Sequence, residues 1–136
     1  MDCELCRIIV EEKFRMVAEN EHAIAFICVE PIKEGHVLIQ TKRHVEKMGE
    51  MGDDEAVAFS RLVDASMRVA EEVFNTGSVF IVNGKTFRSQ PHFHGHVIPS
   101  DEGGRGLFAA AEGTPFRVMV SPEELKAEAE RLRKHF

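Results

Sequence analysis

The run Pro91-His92-Phe93-His94-Gly95-His96-Val97-Ile98-Pro99 carries a histidine at every second position from 92 to 96. Side chains of an extended strand alternate between its faces, so His92, His94 and His96 are expected on one side and Phe93, Gly95 and Val97 on the other, against a core. Packing does not ask for three imidazoles in a row. They are polar, and they repel one another when charged. Three readings compete. The run is a solvated edge strand; or the imidazoles are ligands of an open catalytic metal ion, although no Asp or Glu follows at a helpful spacing; or the strand carries nucleophilic catalysis on phosphorus. In the last, a neutral ring nitrogen attacks, and a covalent phosphohistidine splits one hard step into two. Neighbouring imidazoles would then donate hydrogen bonds to the phosphoryl oxygens. The third reading makes the most use of the residues, with His94 at the centre.

A second candidate cluster lies at the start of the chain, where Cys3 and Cys6 form a Cys-x-x-Cys pair; Cys28 is the only other cysteine. An odd count argues against a disulfide framework. A redox pair, a metal site and two unused thiols all remain open for Cys3 and Cys6 from spacing alone. Cys28, inside Ala25-Phe26-Ile27-Cys28-Val29, reads as a small buried hydrophobe.

The elements that must position these residues are legible. Phe14 to Ala18 and His22 to Val29 read as strands across the turn Glu19-Asn20-Glu21, and His36 to Thr41 as a third after the loop Pro31 to Gly35. Asp53 to Asn75 is the clearest helix. Asp53 is placed to cap it, Ala56, Phe59, Val63, Ala70 and Val73 form an apolar stripe, and Asn75-Thr76-Gly77 ends it. Ser78 to Val82 and His92 to Ile98 are strands. Asp101 to Gly106, with three glycines, reads as a mobile loop, and Phe116 to Val120 as one more strand. Ser121, Pro122 and Glu124 open a last helix with a capping box. Strands joined by hairpin-like connections around one long helix, with a second helix at the end, predict an α+β domain with a mostly antiparallel sheet.

Composition narrows the partners. A length of 136 residues suits a single domain, and 43% hydrophobic with 29% charged residues is the balance of a water-soluble fold. The net charge of −6 argues against gripping a nucleic-acid polymer. There is no run apolar enough to cross a membrane and no signal peptide, so the expected location is cytoplasmic.

At this point the residues resemble a known family. The His92-x-His94-x-His96 strand is similar to the signature of the histidine triad (HIT) family. Pro31, Gly35 and His36 resemble its Pro-x-x-x-Gly-His segment, and Lys42-Arg43-His44-Val45 resembles the turn that follows. The long helix and Val82-Asn83-Gly84 fall where the family has them, so the likeness spans roughly Cys3 to Pro99, with residues 100–136 as loop and C-terminal helix beyond that core. The resemblance implies a HIT-like α+β fold and a hydrolase or transferase acting on a small nucleotide, typically a nucleoside phosphoramidate or dinucleoside polyphosphate. It implies His94 as the nucleophile, His96 as a hydrogen-bond donor near the leaving group, and Asn83 as a phosphate-side contact, with no catalytic cofactor. By the same likeness Cys3, Cys6, His44 and His92 would bind a structural Zn²⁺, and the chain would form a homodimer.

The match has gaps. Cys28 stands where many members carry the Asp that grips the ribose, and a thiol cannot replace that grip. The phosphate-side Gln or Ser is expected among Arg88, Ser89 and Gln90, and spacing does not choose between them; Arg88 would suit a more anionic substrate. Gly95 replaces an apolar residue, leaving room behind the strand or a close backbone approach. Ser100 replaces the usual Arg after the final Pro, with Arg105 nearby. The rival from another class is a non-catalytic nucleotide-binding or scaffold protein on the same fold.

Overall fold

The structure, a computed structural model, describes residues 2–84, 90–113 and 121–135. Five strands form one sheet: β1 (Met16–Glu19), β2 (Ala23–Ile27), β3 (Val37–Thr41), β4 (Ser78–Val82) and β5 (His94–Pro99), in the order β1-β2-β3-β5-β4. Every neighbouring pair is antiparallel. The β1–β2 hairpin turns on Asn20, whose side-chain oxygen accepts from the amides of His22 and Ala23 while its NH2 group donates to the Ala58 carbonyl. One asparagine thus closes the turn and ties it to the long helix.

That helix, α2 (Asp53–Phe74), covers one face of the sheet. Alternation sorts the strands between two cores. Ala23 and Ala25 of β2, Ile39 of β3 and Val97 of β5 pack with Phe59, Leu62, Val63 and Ala70 of α2. Ile24 and Phe26 point to the other face, where they meet Cys3, Leu5 and Ile8 of a short N-terminal helix, α1 (Glu4–Glu11). The antiparallel register places Leu38 opposite His96 and Gln40 opposite His94, so both histidines lie on the α1 side.

Several expectations need correction. The N-cap of α2 is Gly52, not Asp53, and Glu55 reaches back to accept from the Gly52 amide at 3.1 Å. Asp53 is already the first helical residue, where its charge favours the positive helix end. Of the forecast stripe, Val73 is exposed, beside Val69 on the outer side of α2. β5 begins at His94, so His92 and Phe93 precede the ladder. The glycine-rich stretch read as a loop instead opens α3 (Gly103–Glu112). Its glycines lie in the first turn, where backbone amides are unpaired anyway, and Leu107 to Ala111 propagate the helix. α1 itself had no forecast. The chain divides into two compact units, one running to Gly103 and the other from Gly104. In the second, α4 (Pro122–Arg133) starts as its signals predict, with Ser121 Oγ accepting from the Glu124 amide at 3.2 Å. The forecast strand Phe116 to Val120 lies outside the described residues.

Candidate functional site

His94 and His96 line a cleft of about 480 Å³ on the α1 side of the sheet. Leu5 and Ile8 of α1, Leu38 of β3 and Ile32 of the loop between β2 and β3 supply its apolar walls, while Arg15, Cys28, Glu30, Glu4 and Gln90 supply its polar rim. Cys28 is therefore not the buried hydrophobe expected: it lies one residue beyond β2, where the chain leaves the core, and is half-buried at the cleft. The Arg15 guanidinium donates twice to the Ile27 carbonyl beside it and pairs with Glu12.

The two histidines are held differently. His94 Nδ1 lies 2.7 Å from the His92 carbonyl oxygen. A carbonyl only accepts, so Nδ1 carries the proton and Nε2 keeps its lone pair. His96 belongs to a longer chain of contacts. The Ile32 amide donates to His36 Nδ1 at 3.1 Å, which leaves the His36 proton on Nε2. That nitrogen lies 2.9 Å from His96 Nδ1, so His96 accepts there and in its neutral form carries its proton on Nε2. The cleft thus receives one histidine poised as a nucleophile and one poised as a donor. Burial, with His94 and His36 adding repulsion, pushes His96 down to about 4, and burial also lowers His36. Both rings stay neutral at physiological pH.

His36 was not among the forecast site residues, although the signal was present. It sits two residues before Leu38, on the same face, and Leu38 pairs with His96.

The third imidazole of the run goes elsewhere. His92 is fully buried and does not line the cleft, so the three rings do not share one pocket. Its ring faces α1, opposite Phe93 in the α2-side core: Nδ1 lies 3.5 Å from Cys3 Sγ and 3.4 Å from Cys6 Sγ. Cys6 Sγ is 3.4 Å from His44 Nδ1, and all four donor atoms fall within 4.8 Å of one another. Cys3 is the N-cap of α1 and accepts the Cys6 amide on its sulfur. The helix start therefore turns both thiols to one side. His92 Nε2 donates to the Thr41 carbonyl at 2.8 Å, leaving Nδ1 as a lone-pair donor toward the thiols. Burial, then the neighbouring Cys3 sulfur, pushes the Cys6 thiol up to about 11, so without a cation that thiol keeps its proton. Two thiols and two imidazoles with ligand atoms this close, one ring already oriented by a carbonyl, form a cluster that could hold a metal ion.

The remaining forecast residues are less gathered. Gln90 reaches the cleft rim and donates to Glu4 at 3.0 Å. Asn83 is exposed just past β4 and does not line the cleft. Arg88 and Ser89 lie outside the described residues. The gap left by Gly95 is filled: a Cβ there would meet the Phe80 ring at 2.8 Å.

Known proteins are similar to this chain in sequence and fold. The HIT domain matches residues 10–103. An uncharacterized HIT-like protein of Methanocaldococcus jannaschii is 35% identical over 104 residues, covering 74% of this chain and 81% of that protein. The adenosine 5′-monophosphoramidase hnt1 of Schizosaccharomyces pombe is 30% identical over 97% of this chain and 96% of its own length. Among solved structures, a HIT family member from Bacillus subtilis superposes with a TM-score of 0.75 at 26% identity, covering 100% of this chain and 98% of that one. With the domain match spanning the sheet, α2 and both cleft histidines, the chain belongs to the HIT family.

Proposed function

We propose that the chain is a nucleotide hydrolase or transferase that cleaves a phosphoramidate, phosphoanhydride or phosphoester of a small nucleotide through a covalent nucleotidyl-histidine at His94. The observation that carries this reading is the 2.7 Å contact between His94 Nδ1 and the His92 carbonyl, which leaves Nε2 as a lone pair at the cleft. In the first step Nε2 forms a bond to phosphorus while the bond to the leaving nitrogen or oxygen breaks. The His96 Nε2–H donates to a phosphoryl or leaving-group atom, and the leaving amine or oxygen takes up a proton from water as its bond to phosphorus breaks. Water then attacks the same phosphorus, the P–N bond to His94 breaks, and the neutral ring returns. Gln90 at the rim is placed to touch the phosphate side; Asn83, Arg88 and Ser89 complete that set in this reading. The phosphoramidase named for the fission-yeast relative makes a nucleoside phosphoramidate the first substrate to try.

The cluster of Cys3, Cys6, His44 and His92 suits Zn²⁺, for which thiolate and imidazole donors are typical. Bound there, zinc would cross-link α1 to the segment before β5. The reading also includes a homodimer. Val17, Ile27, Val69, Val73 and Phe74 form an exposed apolar patch beside the outer turns of α2, which a second copy would cover. No helix among the described residues is long and apolar enough to cross a membrane. Three free cysteines suit a reducing cytoplasmic setting.

The test is His94→Ala. Turnover of adenosine 5′-phosphoramidate should vanish while the product nucleotide still binds, and wild type denatured under alkaline conditions, where the P–N bond survives, should carry a nucleotide on His94. A His94→Ala protein with wild-type turnover would overturn the assignment.

A further inference from the structure

The cleft has a second end. Across the sheet the strands run β5, β3, β2, β1, and the cleft follows them from His94 and His96 on β5, past Leu38 on β3, to Cys28 just beyond β2 and Arg15 just before β1. The Arg15 guanidinium is held at the Ile27 carbonyl, where Nη2 donates at 3.0 Å and Nε at 3.2 Å, while Nη1 pairs with Glu12. β2 lies two strand spacings from β5, roughly 10 Å. That is the reach of a nucleoside 5′-phosphate from its phosphorus to its base.

Two groups at this end have no use in the chemistry at His94. Arg15 is the only Lys or Arg lining the cleft among the described residues, and its side chain is largely buried. Arginine has five N–H donors, and the contacts to Ile27 and Glu12 take three, which leaves two. Glu30, exposed two residues past Cys28, has no hydrogen bond or ion pair among the described residues. The other carboxylate of the rim is engaged: Glu4 accepts from Gln90 at 3.0 Å and lies 3.7 Å from Arg7.

We propose that Arg15 and Glu30 are specificity-determining residues that select guanine over adenine at this end of the cleft. This rests on the reading of His94 as the nucleophile on a small nucleotide, and it names the base. Guanine shows two acceptors side by side, N7 and O6, and on its other polar edge two donors, N1–H and the 2-amino group. Arginine N–H groups suit the first edge and a carboxylate suits the second. Adenine sets an amino donor where O6 stands and a bare N1 where guanine has N–H, so it meets Arg15 donor to donor and Glu30 acceptor to acceptor. Glu12 already balances the Arg15 charge, which favours a neutral acceptor edge there over a further phosphate. Leu5, Ile8 and Ile32 give the ring apolar walls.

The experiment measures, on the full chain, calorimetric affinities for guanosine, inosine and adenosine 5′-monophosphates, and kcat/KM for guanosine and adenosine 5′-phosphoramidates. Wild type should bind the guanosine nucleotide about tenfold or more tightly than the adenosine one, the scale of one good bidentate contact. Inosine should fall between, because hypoxanthine keeps N7, O6 and N1–H but lacks the 2-amino group. The phosphoramidates should follow the same order. Arg15→Met and Glu30→Ala should each pull the guanosine-to-adenosine ratio toward one, and Glu30→Ala should bring inosine level with guanosine. Arg15 also holds the end of β2, so the exposed Glu30→Ala carries the test if Arg15→Met does not fold. Equal wild-type affinities for guanosine and adenosine nucleotides overturn the inference and leave the His94 chemistry standing, as does a guanine preference that Glu30→Ala retains in full. Preferential binding of the guanosine nucleotide without turnover of either phosphoramidate removes the catalytic reading and leaves the base selection in place. Binding of none of the three removes both.

Discussion

Neutral imidazoles with assigned protons are the currency of this site at the scale of single residues. His96 depends on His36, which in turn depends on a backbone amide. Replacing His36 with Phe keeps a ring of similar bulk but removes the donor to His96 Nδ1. Steady-state kinetics should show kcat lower by roughly tenfold to a hundredfold, as for other groups that orient a catalytic ligand. An unchanged kcat would mean that His96 needs no partner. The same burial has a thermodynamic consequence. Folded His96 titrates at about 4, below its ordinary 6.5, and His36 is lowered too. As pH falls below 6.5 the unfolded chain takes up protons that the folded chain refuses, so stability is full above that value and declines toward pH 4. Urea unfolding at a series of pH values should show this decline, and His36→Phe should make it shallower.

At the scale of elements, much was legible and the misses have causes. The long helix, the five strands and the antiparallel arrangement followed from periodicity and turn residues. The face on which His94 and His96 lie followed from alternation. His92 follows it too, facing α1 while Phe93 packs in the α2-side core, but its ring joins Cys3 and Cys6 rather than the cleft, which alternation alone does not tell. α1 was missed because its start is capped by a cysteine sulfur, a signal that composition does not flag, and its eight residues offer little periodicity. Cys28 looked buried because the apolar run around it continues past the end of β2. His36 was quoted within a motif without a role, since its partner His96 is 60 residues away and only the β3–β5 register brings them together. Gly95 shows what packing adds to pattern. An alanine Cβ would lie 2.8 and 2.9 Å from Phe80 ring carbons, and that ring already leans on Phe59 with centroids 6.2 Å apart. Gly95→Ala should cost about 1–3 kcal/mol of stability, as overpacking does, measured by chemical denaturation. Phe80→Leu in the same chain should return part of it; additive losses in the double variant would show that the two positions do not compete for space.

On the scale of the whole molecule, the apolar patch around α2 has a direct test. Val73 is 66% exposed and Val69 is 55% exposed, on a helix whose opposite side is the core. If a second copy covers them, Val73→Glu should shift sedimentation from dimer to monomer with the fold retained. A wild type that sediments as a monomer would remove the homodimer from the proposal. Stripping the metal acts on a different part of the unit. A chelator should loosen α1 and lower the melting temperature, because the cluster's sulfurs are also the cap and first turn of that helix. Zinc content near one ion per chain, measured on purified protein, is the companion expectation.

The hydrogen-bond direction through His36 and His96 is decided far from either ring, at the amide of Ile32 in a surface loop whose side chain is exposed. Proline at that position would remove the donor to His36 Nδ1, and would also replace the Ile32 side chain that lines the cleft. His36 would then be free to hold its proton on Nδ1, and His96 could turn its own donor inward, away from the substrate. A loop that contributes little to the fold thus holds a vote on which way the site's protons face, and variation there is read out as chemistry.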